Sequence, residues 1–302
     1  MRDHADNSKL KSFMRIDTLC STLANNPVYC YTITNNIESY LSSADEAEVL
    51  KKSNAARAML RKRFEIHEAR HHQMPSDDIP SNEESLVTCR NMYNNRRFHK
   101  YIKDHKGKRG VVLTARVHPG ESNASFIMEG LLDYLLSPEA KYRRSKFIFK
   151  VLPMLNPDGV IYGNYRCSLL GVDLNRRWPK PSKWLHPPIY YTKQLIAMFH
   201  IEREVELFCD IHGHSRKKNV FMYGCAYPGS DFEGSKKNNF IKILPLLLSQ
   251  RNKCFSFKDC TFACEKEKES TARIVVFKEL GITHSYTLEA SFFGALIPAQ
   301  PA

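Results

Sequence analysis

Two short motifs in this 302-residue chain carry metal-ligating residues, and their settings differ. The first is His67-Glu68-Ala69-Arg70-His71. This HExxH pattern sets two imidazoles one helical turn apart, with a glutamate base between them. The surrounding sequence speaks against a packed metal site. Lys51, Lys52, Arg57, Arg61, Lys62, Arg63 and Arg70 make the segment basic, and 75–84 collects Pro, Ser, Asp, Asn and Glu. A zinc-binding helix needs a core that fixes its ligand rotamers and their outer hydrogen bonds. We read 67–71 as a solvated, charged helix.

The second motif is His118-Pro119-Gly120-Glu121. Its HxxE spacing means little alone, but its position is informative. An apolar run at 111–117 ends on it, and an amphipathic stretch at 122–136 starts after it. His118 therefore stands at a strand end and Glu121 in a first helical turn. The crevice beyond the carboxyl ends of strands is where open α/β sheets build their sites. A second strand-like run, 206–211, leads into His212-Gly213-His214 at the same edge. These two histidines share one face of a strand, so spacing leaves open which of them binds. Two His, one Glu and an open fourth position make a catalytic zinc site. Asp210 receives no role on this reading.

The elements that must hold these residues alternate. Strand patterns fall at 28–34, 111–117, 147–155, 206–211, 220–223 and 283–288, and helical patterns at 122–136, 190–203 and 236–249. That alternation predicts a layered α/β domain. Residues 44–95, rich in Ala, Glu, Lys and Arg and then in Pro and Ser, are expected to be a charged insertion, helical or partly disordered.

Composition narrows the class. The chain is 42% hydrophobic and 25% charged, which is the balance of a globular protein. No apolar run approaches the roughly 18 residues a membrane span needs, so no membrane partner is expected. Nine cysteines without CxxC pairs fit reduced thiols in a cytosolic protein. The net charge of +13 admits nucleic acid, an anionic membrane or an acidic protein as partner, and charge alone does not choose.

An ordered set of motifs does choose. His118-Pro119-Gly120-Glu121-Ser122-Asn123-Ala124-Ser125, Leu155-Asn156-Pro157-Asp158-Gly159-Val160, Gly163-Asn164-Tyr165-Arg166 and Asp173-Leu174-Asn175-Arg176 occur in sequence. Asp210-Ile211-His212-Gly213-His214-Ser215-Arg216-Lys217 and Ser285-Tyr286-Thr287-Leu288-Glu289-Ala290-Ser291 follow. Together they resemble the cytosolic carboxypeptidases, zinc peptidases that remove glutamates from polyglutamylated proteins such as tubulin. The resemblance covers about 111–293, with a weaker piece at 23–35.

The resemblance implies a three-layer α/β/α carboxypeptidase-like domain with a mixed central sheet. It divides the chain into 1–43, holding the last edge of a β-sandwich and the first core strand, the 44–95 insertion, and a catalytic domain at 96–302 that is short at its C-terminus. It implies His118, Glu121 and His212 as ligands of one Zn2+ per chain, and so selects His212 over His214. Arg166 would polarise the scissile carbonyl, Asn175 and Arg176 would hold the terminal carboxylate, and Glu289 would be the general base to a zinc-activated water. A guanidinium fork suits a free carboxylate, and a carboxylate at a strand end can take the water's proton.

A glutamate side chain in the specificity pocket calls for a cation, and Arg273 is the residue expected there. The implied partners are glutamylated protein tails in the cytosol, tubulin and hence microtubules among them, and not nucleic acid. Two rivals remain at this stage. One is a deacylase of N-acyl acidic amino acids on the same scaffold. The other is a non-catalytic basic module that binds microtubules or nucleic acid through 51–72, where seven Lys and Arg face two Glu. That segment lacks the aromatic interleaving of nucleic-acid binders.

Overall fold

The computed structural model describes residues 8–38, 107–228 and 232–296. The HExxH motif and the whole of the 44–95 insertion lie outside the described residues.

After a helical turn at Ser8–Lys11, the chain forms β1 (Met14–Ser21) and β2 (Pro27–Ile33). It continues through β3 (Arg109–Ala115), α1 (Ser122–Leu136), α2 (Lys141–Lys146), β4 (Phe147–Leu152) and α3 (Pro157–Ile161). Then come α4 (Pro187–Glu202), β5 (Val205–His214), β6 (Val220–Tyr223), α5 (Phe232–Arg251), α6 (Ala272–Leu280) and β7 (Ser285–Ser291). The seven strands form one sheet in the order β1-β2-β4-β3-β5-β7-β6. The centre, β4-β3-β5-β7, is parallel, whereas β1, β2 and β6 join antiparallel. The sheet is therefore mixed.

Alternation along the strands explains the layers. Val111, Leu113 and Ala115 of β3 face one side with Met128, Leu132 and Leu135 of α1 and Ile241 of α5. Val112 faces the other side with Ile189, Ile196 and Phe199 of α4 and Val275 and Val276 of α6. Both faces of the central strands are covered, which is why their sequences read as continuous apolar runs. Each fully buried side chain of this kind contributes roughly 1.5–3 kcal/mol. The expected three-layer α/β/α architecture is what forms.

The described part of the N-terminal segment forms two paired antiparallel strands of the single sheet. The β1 pattern is hard to read because only Met14 is buried in it and its register slips between Thr18 and Cys20. The buried carboxylate of Asp158 ties this hairpin to α3. It accepts from the Thr22 hydroxyl, from the Ala24 N–H at 3.1 Å and from Asn26 Nδ2 at 2.9 Å.

The topology also sets the place of the site. From β3 the chain passes through α1 on one face to β4, then through α4 on the other face to β5, on the opposite side of β3. The strand order thus reverses between β3 and β5, and a crevice opens beyond their carboxyl ends.

Candidate metal centre

The chain leaves β3 through Arg116, whose φ of 59° is left-handed and strained for a residue with a Cβ. Arg116 fixes the turn that follows, donating from Nε to the Pro119 carbonyl at 2.9 Å and from Nη1 to Ser125 Oγ at 2.6 Å. Gly120 has no side chain for a steric reason: a Cβ there would lie 2.6 Å from the Tyr165 ring. Its N–H donates to the Tyr165 carbonyl at 2.7 Å, docking the loop that carries Arg166 onto the turn that carries His118 and Glu121.

His118, Glu121 and His212 are buried, and their ligating atoms lie within 4.8 Å of one another. His118 Nδ1 is 2.7 Å from Glu121 Oε1 and 3.2 Å from His212 Nδ1, which is 3.1 Å from Glu121 Oε2. The outer nitrogens show why these atoms converge. His118 Nε2 lies 3.1 Å from Asp173 Oδ1, and His212 Nε2 lies 2.7 Å from Asp210 Oδ2. A carboxylate only accepts, so each Nε2 carries a proton toward its outer carboxylate, and each Nδ1 either donates a proton to Glu121 or, with a metal bound, presents a lone pair to that metal. Without those inner protons, two lone pairs and a carboxylate facing one another across about 3 Å repel unless a cation lies among them. Imidazoles oriented by carboxylates are the usual outer partners of zinc ligands. The residues fit Zn2+.

The titration behaviour points the same way. Burial opposes charge on His212, yet the Asp210 and Glu121 carboxylates outweigh it and hold the imidazole well above its usual pKa. Burial likewise opposes ionisation of Glu121, and hydrogen bonds from His118 and His212 overcome it, leaving the carboxyl far below the usual range. The pocket is built for positive charge at its centre.

A cavity of about 480 Å³ opens over this cluster, lined by all eight residues singled out from the sequence. Those residues are His118, Glu121, Arg166, Asn175, Arg176, His212, Arg273 and Glu289. Glu289 is the register partner of His212 on β7. Its Oε2 is buried with no hydrogen-bond partner among the described residues, and burial pushes its pKa up to about 7. Arg166 Nε donates to Asp173 Oδ2 at 3.0 Å, and Arg176 lies 3.8 Å from the same oxygen. Asn175 spends its Oδ1 on the first N–H of α6, Ala272, at 2.9 Å. That leaves its amide donor end for a ligand.

Arg273 is only 5% exposed. The surface position that its helical setting would allow is not what forms. Its guanidinium donates to the Gly224 carbonyl and, at 3.4 Å, to Cys225 Sγ, and it lies over the Tyr223 ring. None of these partners is a carboxylate. His214 stays out of the cluster, its Nδ1 accepting from the Arg216 and Lys217 N–H groups.

The zinc carboxypeptidase family, peptidase M14, matches residues 5–300. This chain belongs to that family. Cytosolic carboxypeptidase 2 of Danio rerio is 49% identical over 199 residues, 65% of this chain and 27% of that protein. Cytosolic carboxypeptidase 3 of Mus musculus is 51% identical over 195 residues, 63% of this chain and 19% of that protein. The chain thus spans about a fifth to a quarter of the length of these curated relatives. The metallo-carboxypeptidase of Burkholderia cenocepacia superposes with a TM-score of 0.61 at 20% identity, over 96% of this chain and 58% of that one. Its likeness is one of fold. The resemblance to cytosolic carboxypeptidases read from the motifs agrees with these matches.

Asp210 and Asp173 are what sequence reasoning missed in this zinc carboxypeptidase chain. Asp210, denied a role above, is fully buried against His212 and accepts from the Thr114 hydroxyl at 2.7 Å. The signal was present: residues two apart on a strand share a face, so Asp210 and His212 had to be neighbours. Asp173 was quoted in a motif without a task, and it connects His118 to Arg166 and Arg176. Among the described residues, no helix is long and apolar enough to cross a membrane.

Proposed function

We propose that this chain is the catalytic part of a zinc metallocarboxypeptidase that removes C-terminal or side-chain-branched glutamates from polyglutamylated proteins, tubulin among them. The observation that carries the choice of glutamate is Arg273, a buried guanidinium lining the cavity without a carboxylate partner among the described residues. A buried charge left unpaired is costly, and an acidic substrate side chain completes it.

His118, Glu121 and His212 hold the zinc, with Asp173 and Asp210 orienting the two imidazoles. When bound, zinc acts as a Lewis acid that polarises a carbonyl and makes water more acidic. Arg176 and the amide of Asn175 take the free carboxylate of the terminal residue, the recognition an exopeptidase requires. Arg166, steadied by Asp173, supplies donors toward the oxygen that gains charge as the carbonyl is attacked. Glu289 takes the proton of the attacking water and returns it to the departing amine. A buried carboxylate oxygen with no hydrogen-bond partner among the described residues is free to make both transfers.

The cytosolic label borne by the relatives and the unpaired thiols among the described residues here both support a cytosolic substrate. The test is to load the protein with zinc and offer peptides ending in several glutamates, peptides ending in a neutral residue, and an N-acyl glutamate. Release of glutamate from the first alone is the expected result. Turnover of the N-acyl compound alone would replace this reading with the deacylase.

A further inference from the structure

Beyond Arg176 the chain leaves the cavity, turns into the core at Trp178 and returns to the surface before α4 begins at Pro187. This loop is held firmly. Lys193 Nζ on α4 donates to the Trp178 and Pro179 carbonyls at 2.8 and 2.9 Å, and it pairs with Glu279 at 2.6 Å. Ser182 closes the far end. Its Oγ accepts from the Trp184 and Leu185 N–H groups at 3.3 and 3.2 Å, and its own N–H donates to His186 Nδ1 at 3.2 Å.

What the fixed loop presents is more than a solvated turn needs. Trp184 is 67% exposed, and Leu185 stands exposed beside it. Lys183 Nζ lies 5.2 Å from the centroid of the Trp184 ring. Arg177 and Lys180 are exposed on the same loop, and no Asp or Glu occurs from 174 to 201. Among the described residues, Arg177, Lys180 and Lys183 form no salt bridge. An indole and a leucine kept in water by an ordered backbone, among cations without counter-charges, suit a partner that brings both apolar contact and negative charge. Because the backbone is already ordered, docking loses little entropy on this side.

We propose that the 177–185 loop is a docking surface for an acidic polypeptide segment, the part of the substrate protein upstream of its cleaved end. Trp184 and Leu185 take an apolar side chain or a methylene stem, and Arg177, Lys180 and Lys183 take the carboxylates around it. Continuity with the cavity favours a polypeptide over nucleic acid. Trp184 is eight residues on from Arg176, so their Cα atoms are at most about 29 Å apart, a span that roughly nine extended residues of a tail cover. A lone exposed indole with Lys183 over its ring also makes a poor stacking platform, which offers successive aromatic rings to successive bases. That the docked segment belongs to the cleaved protein rests on the peptidase reading above, whereas the surface itself does not.

The chain has two tryptophans and Trp178 is fully buried, so acrylamide quenching of fluorescence reads Trp184. The zinc-loaded protein is mixed with a glutamate-rich peptide of about twelve residues, longer than that span, whose C-terminus is amidated. Protection of Trp184 is expected, and the double variant Lys180→Glu, Lys183→Glu should need about tenfold more peptide for it. A neutral peptide of the same length should leave quenching unchanged. With the C-terminus free, kcat/KM for the long acidic peptide should fall about tenfold in Trp184→Ala, while an acetylated glutamate dipeptide is cleaved as before. Absent protection, equal protection by the neutral peptide, or tighter protection by a single-stranded oligonucleotide overturns the proposal. So does quenching that falls with protein concentration alone, which assigns the surface to a second copy of the chain. The quenching arm needs no turnover. A chain that releases no glutamate therefore defeats the peptidase reading and leaves the docking surface to be judged on protection of Trp184.

Discussion

His212 and Glu289 are register partners on the adjacent parallel strands β5 and β7. That pairing puts a residue of the candidate metal centre beside a carboxylate whose buried Oε2 has no hydrogen-bond partner among the described residues, with no loop needed to bring them together. Both are held by ladder hydrogen bonds in the centre of the sheet, so their separation is as rigid as the fold. A proton acceptor must stay within hydrogen-bond reach of its water through the reaction, and rigid placement of this kind serves that need.

Glu289→Gln is therefore expected to remove turnover, by about 10³-fold or more, while zinc stays bound. Steady-state kinetics with metal analysis on the same sample checks both halves. The variant has a second signature in the metal-free protein. The folded pKa of Glu289 is raised from 4.5 to about 7, so the folded state binds its proton more tightly than the unfolded chain does. The native protein then loses stability as pH rises from about 4.5 to 7, by roughly 3 kcal/mol. Glutamine carries no charge to bury. Metal-free Glu289→Gln should match the parent near pH 4 and exceed it at pH 8, as denaturant titrations would show. A constant difference across that range contradicts the assignment.

Much of the site was legible because its residues sit where short motifs meet strand ends. His118 and Glu121 follow an apolar run, and His212 and Glu289 end two others, so pattern and position coincide. The outer carboxylates were harder. What Asp173 does depends on the loop at 163–177 folding back onto His118, which no local pattern encodes. Arg273 belongs to a helix whose residues 272–277 are all buried, so no polar face marked which way it turned. β1 is an outermost strand with one buried residue, too little alternation to register.

Asp210 offers a sharper test of the metal centre than the ligands themselves. His118→Ala should abolish zinc binding, whereas His67→Ala should leave metal content unchanged. Asp210→Asn keeps the shape of the side chain and weakens the acceptor for His212 Nε2–H. Zinc affinity measured by chelator competition should fall roughly 10–100-fold. Thr114→Val, which removes the hydroxyl that donates to Asp210, should follow in the same direction with a smaller loss. Unchanged affinity in Asp210→Asn would mean that the buried contact does not tune the ligand.

Arg273→Ala separates selectivity from chemistry. A buried ion pair with a substrate carboxylate, once broken, leaves the substrate charge unpaired. kcat/KM for a glutamate-ended peptide should drop by about 10²-fold, with little change for a peptide ending in a neutral residue of similar size. Equal losses on both peptides would assign Arg273 to packing around Gly224 and Cys225 instead.

Charge on the chain has a longer reach than any single contact. Arg166, Arg176, Lys217, Lys268 and Arg273 line the cavity beside Glu121, Glu265 and Glu289. The surrounding chain is strongly basic, with a net charge of +13. A polyanionic tail is drawn toward such a surface before it makes any specific contact, and salt screens that attraction over about 8–10 Å near physiological strength. Raising ionic strength from about 0.05 to 0.3 M should lower kcat/KM for a chain of several glutamates more than for a peptide with one. kcat should hardly move, because the bound complex is the same. A salt effect that is equal for both substrates, or that falls on kcat, would place the dependence on the reacting groups and not on encounter.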